Sequence, residues 1–164
     1  MFFNGTINGE QVTGHGSIEQ IFAQQAAKNP NFVIPEPIAA DKSELVPRYK
    51  TNTNCIPVPH QNWKGTSPSF IRDGIKYLNG VTNFCTVWAK SCSRVSCSYD
   101  SAIIVCNDSF VHHHHSCKYI ASYAQDILDK CSVYTREDKT WRVGGQEWDT
   151  DRYNVIVRYE ESRC

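Results

Sequence analysis

The sequence predicts an α+β domain in which two helices pack on an antiparallel sheet. The element order is the split strand–helix–strand–strand–helix–strand pattern, βαββαβ, held by disulfides. Three observations lead there: two apolar stripes at helical spacing, a β-rich pair of runs around a turn, and eight cysteines confined to residues 55–164 of a 164-residue chain.

The first stripe spans 67–80. Ser67-Pro68 supplies a cap and a proline at the first helical position, where its missing N–H costs little. Phe70, Ile71, Ile75 and Leu78 share one face and Gly80 is the stop. The second stripe, 116–131, is the stronger, with Ile120, Ala121, Ala124, Ile127, Leu128 and Cys131 on one side. Between them, 94–99 and 102–106 read as strands joined at Tyr99-Asp100-Ser101, which makes a hairpin. The run 153–159 is the last strand and 55–58 the first. Pro57 speaks against this first strand being central, because a central strand needs that N–H in its ladder.

Seventeen Lys and Arg balance 17 Asp and Glu. A neutral chain lacks the basic surplus that phosphate contacts require, so a general nucleic-acid binder is excluded as an expectation. No apolar run approaches the ~20 residues of a membrane span. An even set of cysteines in a small chain predicts a disulfide framework and an oxidising, extracellular compartment. The expected state is a monomer without cofactor.

Composition divides the chain at Arg48. Residues 1–48 hold no Cys and no Trp, with three basic and five acidic residues, leaving 14 and 12 of the totals to residues 49–164. The front is read as an N-terminal extension or pro-segment, and the back as the cysteine-rich domain. Within the front, 17–27 reads as a short amphipathic helix with Ser17 and Gln20 as a capping box. Met1-Phe2-Phe3 runs into polar residues without an apolar stretch, so a secretory signal is expected to have been removed. Leu45-Val46-Pro47-Arg48 resembles the Leu-x-x-Arg sites of kexin-type processing proteases, and cleavage after Arg48 would free residues 49–164. Of two glycosylation triplets, those at Asn4 and Asn107, Asn4 is the expected acceptor.

The βαββαβ layout implies a disulfide pairing. Cys117 and Cys131 are 14 residues apart on one helix, roughly 21 Å, beyond the about 7 Å between bonded Cα atoms. With the last strand beside the first, Cys55 is expected to join Cys164. Cys106 then joins Cys117, Cys97 joins Cys131, and Cys85 and Cys92 close their own loop.

Candidate chemistry is sparse. His112, His113, His114 and His115 offer imidazoles that bind Zn²⁺ or Cu²⁺ elsewhere, but no further ligands flank them and a solvated loop is the expectation. Eight oxidised cysteines leave no thiol nucleophile. A ribonuclease-type set of carboxylate, His and Arg could be drawn from Glu147, His60 and Arg142 or Arg158, although no spacing singles them out. The mixed-charge stretch 134–152 carries Trp141, Trp148 and Arg152, residue types favoured at recognition surfaces and sugar-stacking sites. Trp63 and Trp88 are expected to pack beside the first helix.

The segments Asp73-Gly74-Ile75-Lys76-Tyr77-Leu78, Arg94-Val95-Ser96-Cys97-Ser98-Tyr99, Ala102-Ile103 with Cys106-Asn107-Asp108, and Tyr153-Asn154-Val155-Ile156-Val157-Arg158 resemble those of ascomycete small cysteine-rich secreted proteins, some of them effectors of plant-pathogenic fungi. The predicted ferredoxin-like sandwich is similar in architecture to the smut-virus killer toxins. The resemblance implies an effector or toxin-like protein, released outside the cell or into a host apoplast. It would act by binding a host or competitor protein or a cell-wall component, without catalysis. A small hydrolase of ribonuclease type and a carbohydrate-binding module are the other classes the residues leave open.

Overall fold

The computed structural model describes residues 1–35, 49–161 and 164. Over these residues the chain is α+β, with antiparallel sheets, three helices and four disulfides. Arg48, the expected processing site, lies outside the described residues.

The first 28 residues form a β-hairpin and a helix. Strands β1 (Phe2–Ile7) and β2 (Glu10–His15) meet at Asn8-Gly9, both at positive φ, and Asn-Gly is the favoured pair for such a two-residue turn. Helix α1 (Ile18–Lys28) opens with the expected capping box: Ser17 N donates to Gln20 Oε1 (3.0 Å) and Gln20 N to Ser17 Oγ (3.4 Å). Phe3, Ile7, Val12, Ile18, Ile21 and Phe22 are all buried in the same apolar core as the helices that follow. Glu19 ties α1 to the cysteine-rich part, accepting from Ser96 Oγ and from Cys97 N (3.0 Å).

The remaining elements are β3 (Lys50–Cys55), α2 (Pro68–Gly80), β4 (Thr82–Val87), β5 (Ser91–Ser98), β6 (Ser101–Asn107), β7 (His113–Ser116), α3 (Cys117–Cys131), β8 (Val133–Thr135), β9 (Thr140–Arg142), β10 (Gly145–Asp149) and β11 (Tyr153–Tyr159). A four-stranded sheet runs β2-β1-β4-β7 and a five-stranded sheet runs β3-β10-β11-β6-β5; β8 and β9 form a separate hairpin. The expected hairpin at Tyr99-Asp100 is present, with both residues at positive φ. Side chains alternate along the five-stranded sheet. Val95, Ile103, Val105, Tyr153, Val155 and Val157 join the helices in the main core, while Cys97, Ala102, Ile104, Cys106 and Ile156 form a smaller cluster on the outer face.

The sheet order differs from the simple βαββαβ arrangement. The last strand, β11, lies between β10 and β6, and the first strand, β3, is at the edge. The reason is β10, which inserts between them; it also resolves the Pro57 difficulty, since β3 ends at Cys55, before the cis Ile56–Pro57 bond.

All eight cysteines are paired, but each expected partner is wrong. The bridges are Cys55–Cys131, Cys85–Cys117, Cys92–Cys106 and Cys97–Cys164, with Cα separations of 5.2, 5.1, 4.0 and 5.2 Å. Three of them follow from the observed order. Edge strand β3 lies beside the end of α3, and Cys92 faces Cys106 across the β5–β6 ladder. Cys117 begins α3 just after β7, the ladder partner of the β4 strand that carries Cys85.

Candidate functional site

Strand alternation separates the two tryptophans that the sequence placed on one surface. On β10, Gln146 and Trp148 face outward, whereas Glu147 and Asp149 face α3. Trp141 sits on β9, in the hairpin that leaves α3 after Cys131. Arg152 occupies the β10–β11 turn at positive φ.

Trp141 borders a groove of about 590 Å³ between the start of α2, the end of α3 and the β8–β9 hairpin. Ser67, Ser69 and Arg72 come from α2; Gln125, Asp129 and Ser132 from α3 and its cap; Lys139, Thr140 and Trp141 from the hairpin. Leu128 is the apolar floor. The Trp141 ring is 56% exposed, and its orientation is set by an edge-to-face contact with Tyr134 at 5.8 Å. The hairpin is fixed by Arg142, which donates to Asp138 Oδ2 through Nη2 (2.6 Å) and Nε (3.2 Å). The Thr135 hydroxyl and the Arg142 guanidinium together hold the Asp138 carboxyl below its ordinary range. The hydroxyl, amide, guanidinium, ammonium and carboxylate groups beside an open indole can bind a polar ligand. No nucleophile–base pair stands among them.

A second, shallower depression of about 560 Å³ lies on the outer face of the five-stranded sheet. His60, Trp63 and Trp148 border it, above Ile156 and the Cys92–Cys106 bridge. Gln146 Nε2 donates to Asn154 Oδ1 (2.9 Å), and Asn154 Nδ2 to Asp108 Oδ2 (3.1 Å). Trp63 packs on this face beneath Arg158, not beside α2, and Trp88 is 48% exposed against His112.

The ribonuclease-type residues are not brought together. Glu147 is 1% exposed on the helix side, where Oε1 accepts from Thr53 Oγ1 (2.8 Å) and Lys130 Nζ (3.0 Å). Burial pushes this carboxyl up, and those two donors oppose the shift. His60 and Arg158 belong to the opposite face, and Arg142 to the hairpin.

Three of the four clustered histidines lie on a strand, β7, and not in the expected solvated loop; His112 precedes the strand and is exposed. β7 pairs with β4, so His113 and His115 turn inward and stack at 4.9 Å, while His114 Nδ1 meets Thr86 Oγ1 (2.9 Å). His115 lies on the Tyr153 ring at 3.9 Å. Behind it, the Tyr123 hydroxyl donates to Asp149 Oδ2, accepts from Tyr153 (3.1 Å) and lies 3.0 Å from the Tyr119 hydroxyl. Burial raises the pKa of all three phenols and, with the neighbouring His113, lowers that of His115 to about 4. Among the described residues, no three His, Cys, Asp or Glu side chains are placed to hold a metal ion.

Asn4 is exposed on β1, its Oδ1 accepting from Gln11 Nε2 (2.8 Å); Asn107 is buried, its amide donating to Val87 O and Val111 O. Among the described residues, no helix is long and apolar enough to cross a membrane. The chain matches no protein-family model, no curated protein and no solved structure.

Proposed function

We propose that this is an extracellular, effector- or toxin-like protein that acts by binding, without catalysis, and that its target is a cell-wall carbohydrate held in the Trp141 groove. One observation carries the reading: a half-exposed indole, fixed by Tyr134, borders a roomy groove whose other walls present hydrogen-bonding side chains. A flat apolar ring suits the C–H face of a pyranose, and the volume falls within the roughly 300–1,000 Å³ of small-ligand sites. Four disulfides without a membrane-spanning helix fit the extracellular setting. The dispersal of Glu147, His60 and Arg158 over opposite faces supports binding over ribonuclease-type hydrolysis. Kinship with fungal secreted proteins rests on the short segments that resemble them, and Asn4 is the proposed glycan acceptor.

Co-sedimentation with insoluble cell-wall polysaccharides tests the reading. The wild-type protein should pellet and Trp141→Ala should remain in the supernatant with an unchanged melting temperature, whereas Trp148→Ala should still pellet. Equal pelleting of wild type and Trp141→Ala removes the groove from the account. RNA or glycan turnover lost on His60→Ala would replace binding with catalysis.

A further inference from the structure

We propose that the groove selects a carbohydrate chain bearing carboxylates, a uronic-acid polymer, over neutral chains; this rests on the groove being a glycan site. Arg72 on α2 and Lys139 on the hairpin stand on different walls, against a single carboxylate, Asp129. That carboxylate is engaged by Gln125 Nε2 at 2.8 Å. Among the described residues, neither Arg72 nor Lys139 has an ion-pair or hydrogen-bond partner. Elsewhere Lys50, Lys64, Lys76, Lys130, Arg142 and Arg158 each pair with a carboxylate. Among the described residues Lys28, Lys118, Arg136 and Arg152 are unpaired as well, so what sets Arg72 and Lys139 apart is their place in one groove beside the exposed indole.

The two cations have different uses. A guanidinium fork meets a carboxylate through two parallel N–H donors, which fixes orientation, while an ammonium adds a point charge. Lys139 and Trp141 flank Thr140 on the same hairpin, so a sugar ring stacked on the indole has its substituents close to the ammonium. Ser67, Ser69, Ser132 and Thr140 supply hydroxyls to ring oxygens and hydroxyl groups. An acidic sugar at Trp141 thus finds an apolar ring, hydroxyl partners and two uncommitted positive charges.

Titration calorimetry of the full chain with oligogalacturonate, the same oligomer fully methyl-esterified, a neutral β-glucan oligomer and heparin tests this. Oligogalacturonate should bind. Affinity should fall roughly tenfold on esterification and by a similar factor in R72Q or K139Q, the loss expected for one charge-assisted hydrogen bond. W141A should bind none of the oligomers. Equal affinity for the acid and its ester, or charge variants that bind like wild type, overturns the charge selection and leaves the glycan groove standing. Heparin binding retained in W141A reports surface charge without a sugar subsite and also overturns it. If wild type binds none of the four, the glycan reading itself fails.

Discussion

The cysteine-free front and the stapled remainder of this chain are held by different means, yet they share one core. Residues 2–28 contribute a hairpin and a helix fixed by burial, by the β1–β4 ladder and by Glu19, with no covalent tie of their own. Residues 50–164 carry four bridges, spanning sequence separations from 14 to 76. The bridges do not make the second region self-sufficient, because β4 has β1 on one side and only the short β7 on the other. A composition boundary is therefore not a packing boundary here.

The largest expected effect comes from removing the front. Six buried apolar side chains leave with it, each worth about 1.5–3 kcal/mol, a total comparable to the whole reserve of a typical domain. A chain lacking residues 1–35 should lose cooperative melting by near-UV circular dichroism; a sharp transition near the full-length value would show two independent regions. Processing after Arg48 remains compatible with this arrangement if the severed front stays docked, which size-exclusion chromatography of a nicked protein reads directly.

Single truncations sharpen the point. Phe3→Ala should cost about 3–5 kcal/mol and Ile21→Ala about 2–5 kcal/mol in urea unfolding, although both lie in the part without bridges. Next comes the Cys97→Ala/Cys164→Ala pair, expected to cost about 2–4 kcal/mol through the unfolded chain. Amide exchange in β1 and β2 should be unchanged by it.

The smallest effect is acid sensitivity at β7, where the two regions share a sheet. The folded His115 pKa, about 4, lies below the ordinary 6.5, so the unfolded chain takes up the proton first. Stability from this group is full above pH 6.5, falls as pH drops toward about 4, and is flat below. The loss is on the order of 1–2 kcal/mol once partial exposure is allowed for. His115→Gln should flatten the melting temperature between pH 7 and 4.5; an unchanged slope would assign the acid response elsewhere.

Both main helices, the capping box at Ser17 and Gln20, and the Tyr99-Asp100 hairpin were legible because each is a local pattern. The Asn8-Gly9 hairpin is equally local, with Phe3, Gly5 and Ile7 alternating inward before it, but the composition of the front does not reveal it. β10 was not legible. Glu147 and Asp149 occupy its inward positions, so a buried strand reads as a polar loop, and the sheet order and disulfide pairing failed with it. Gly145 shows the hidden constraint: a Cβ there would lie 2.7 Å from Asn54 O and 3.2 Å from Cys131 Sγ. Trp141 could be picked by residue type, but Arg72 and Gln125 look like ordinary solvated helix positions until the hairpin folds over them.

The Cys55–Cys131 bridge bolts the end of α3 to the sheet edge one residue before Ser132, and the hairpin wall of the groove begins there. Loss of this one bridge would free that wall from its covalent anchor. On the proposed reading of the groove, the grip on a ligand would therefore depend on this one bridge.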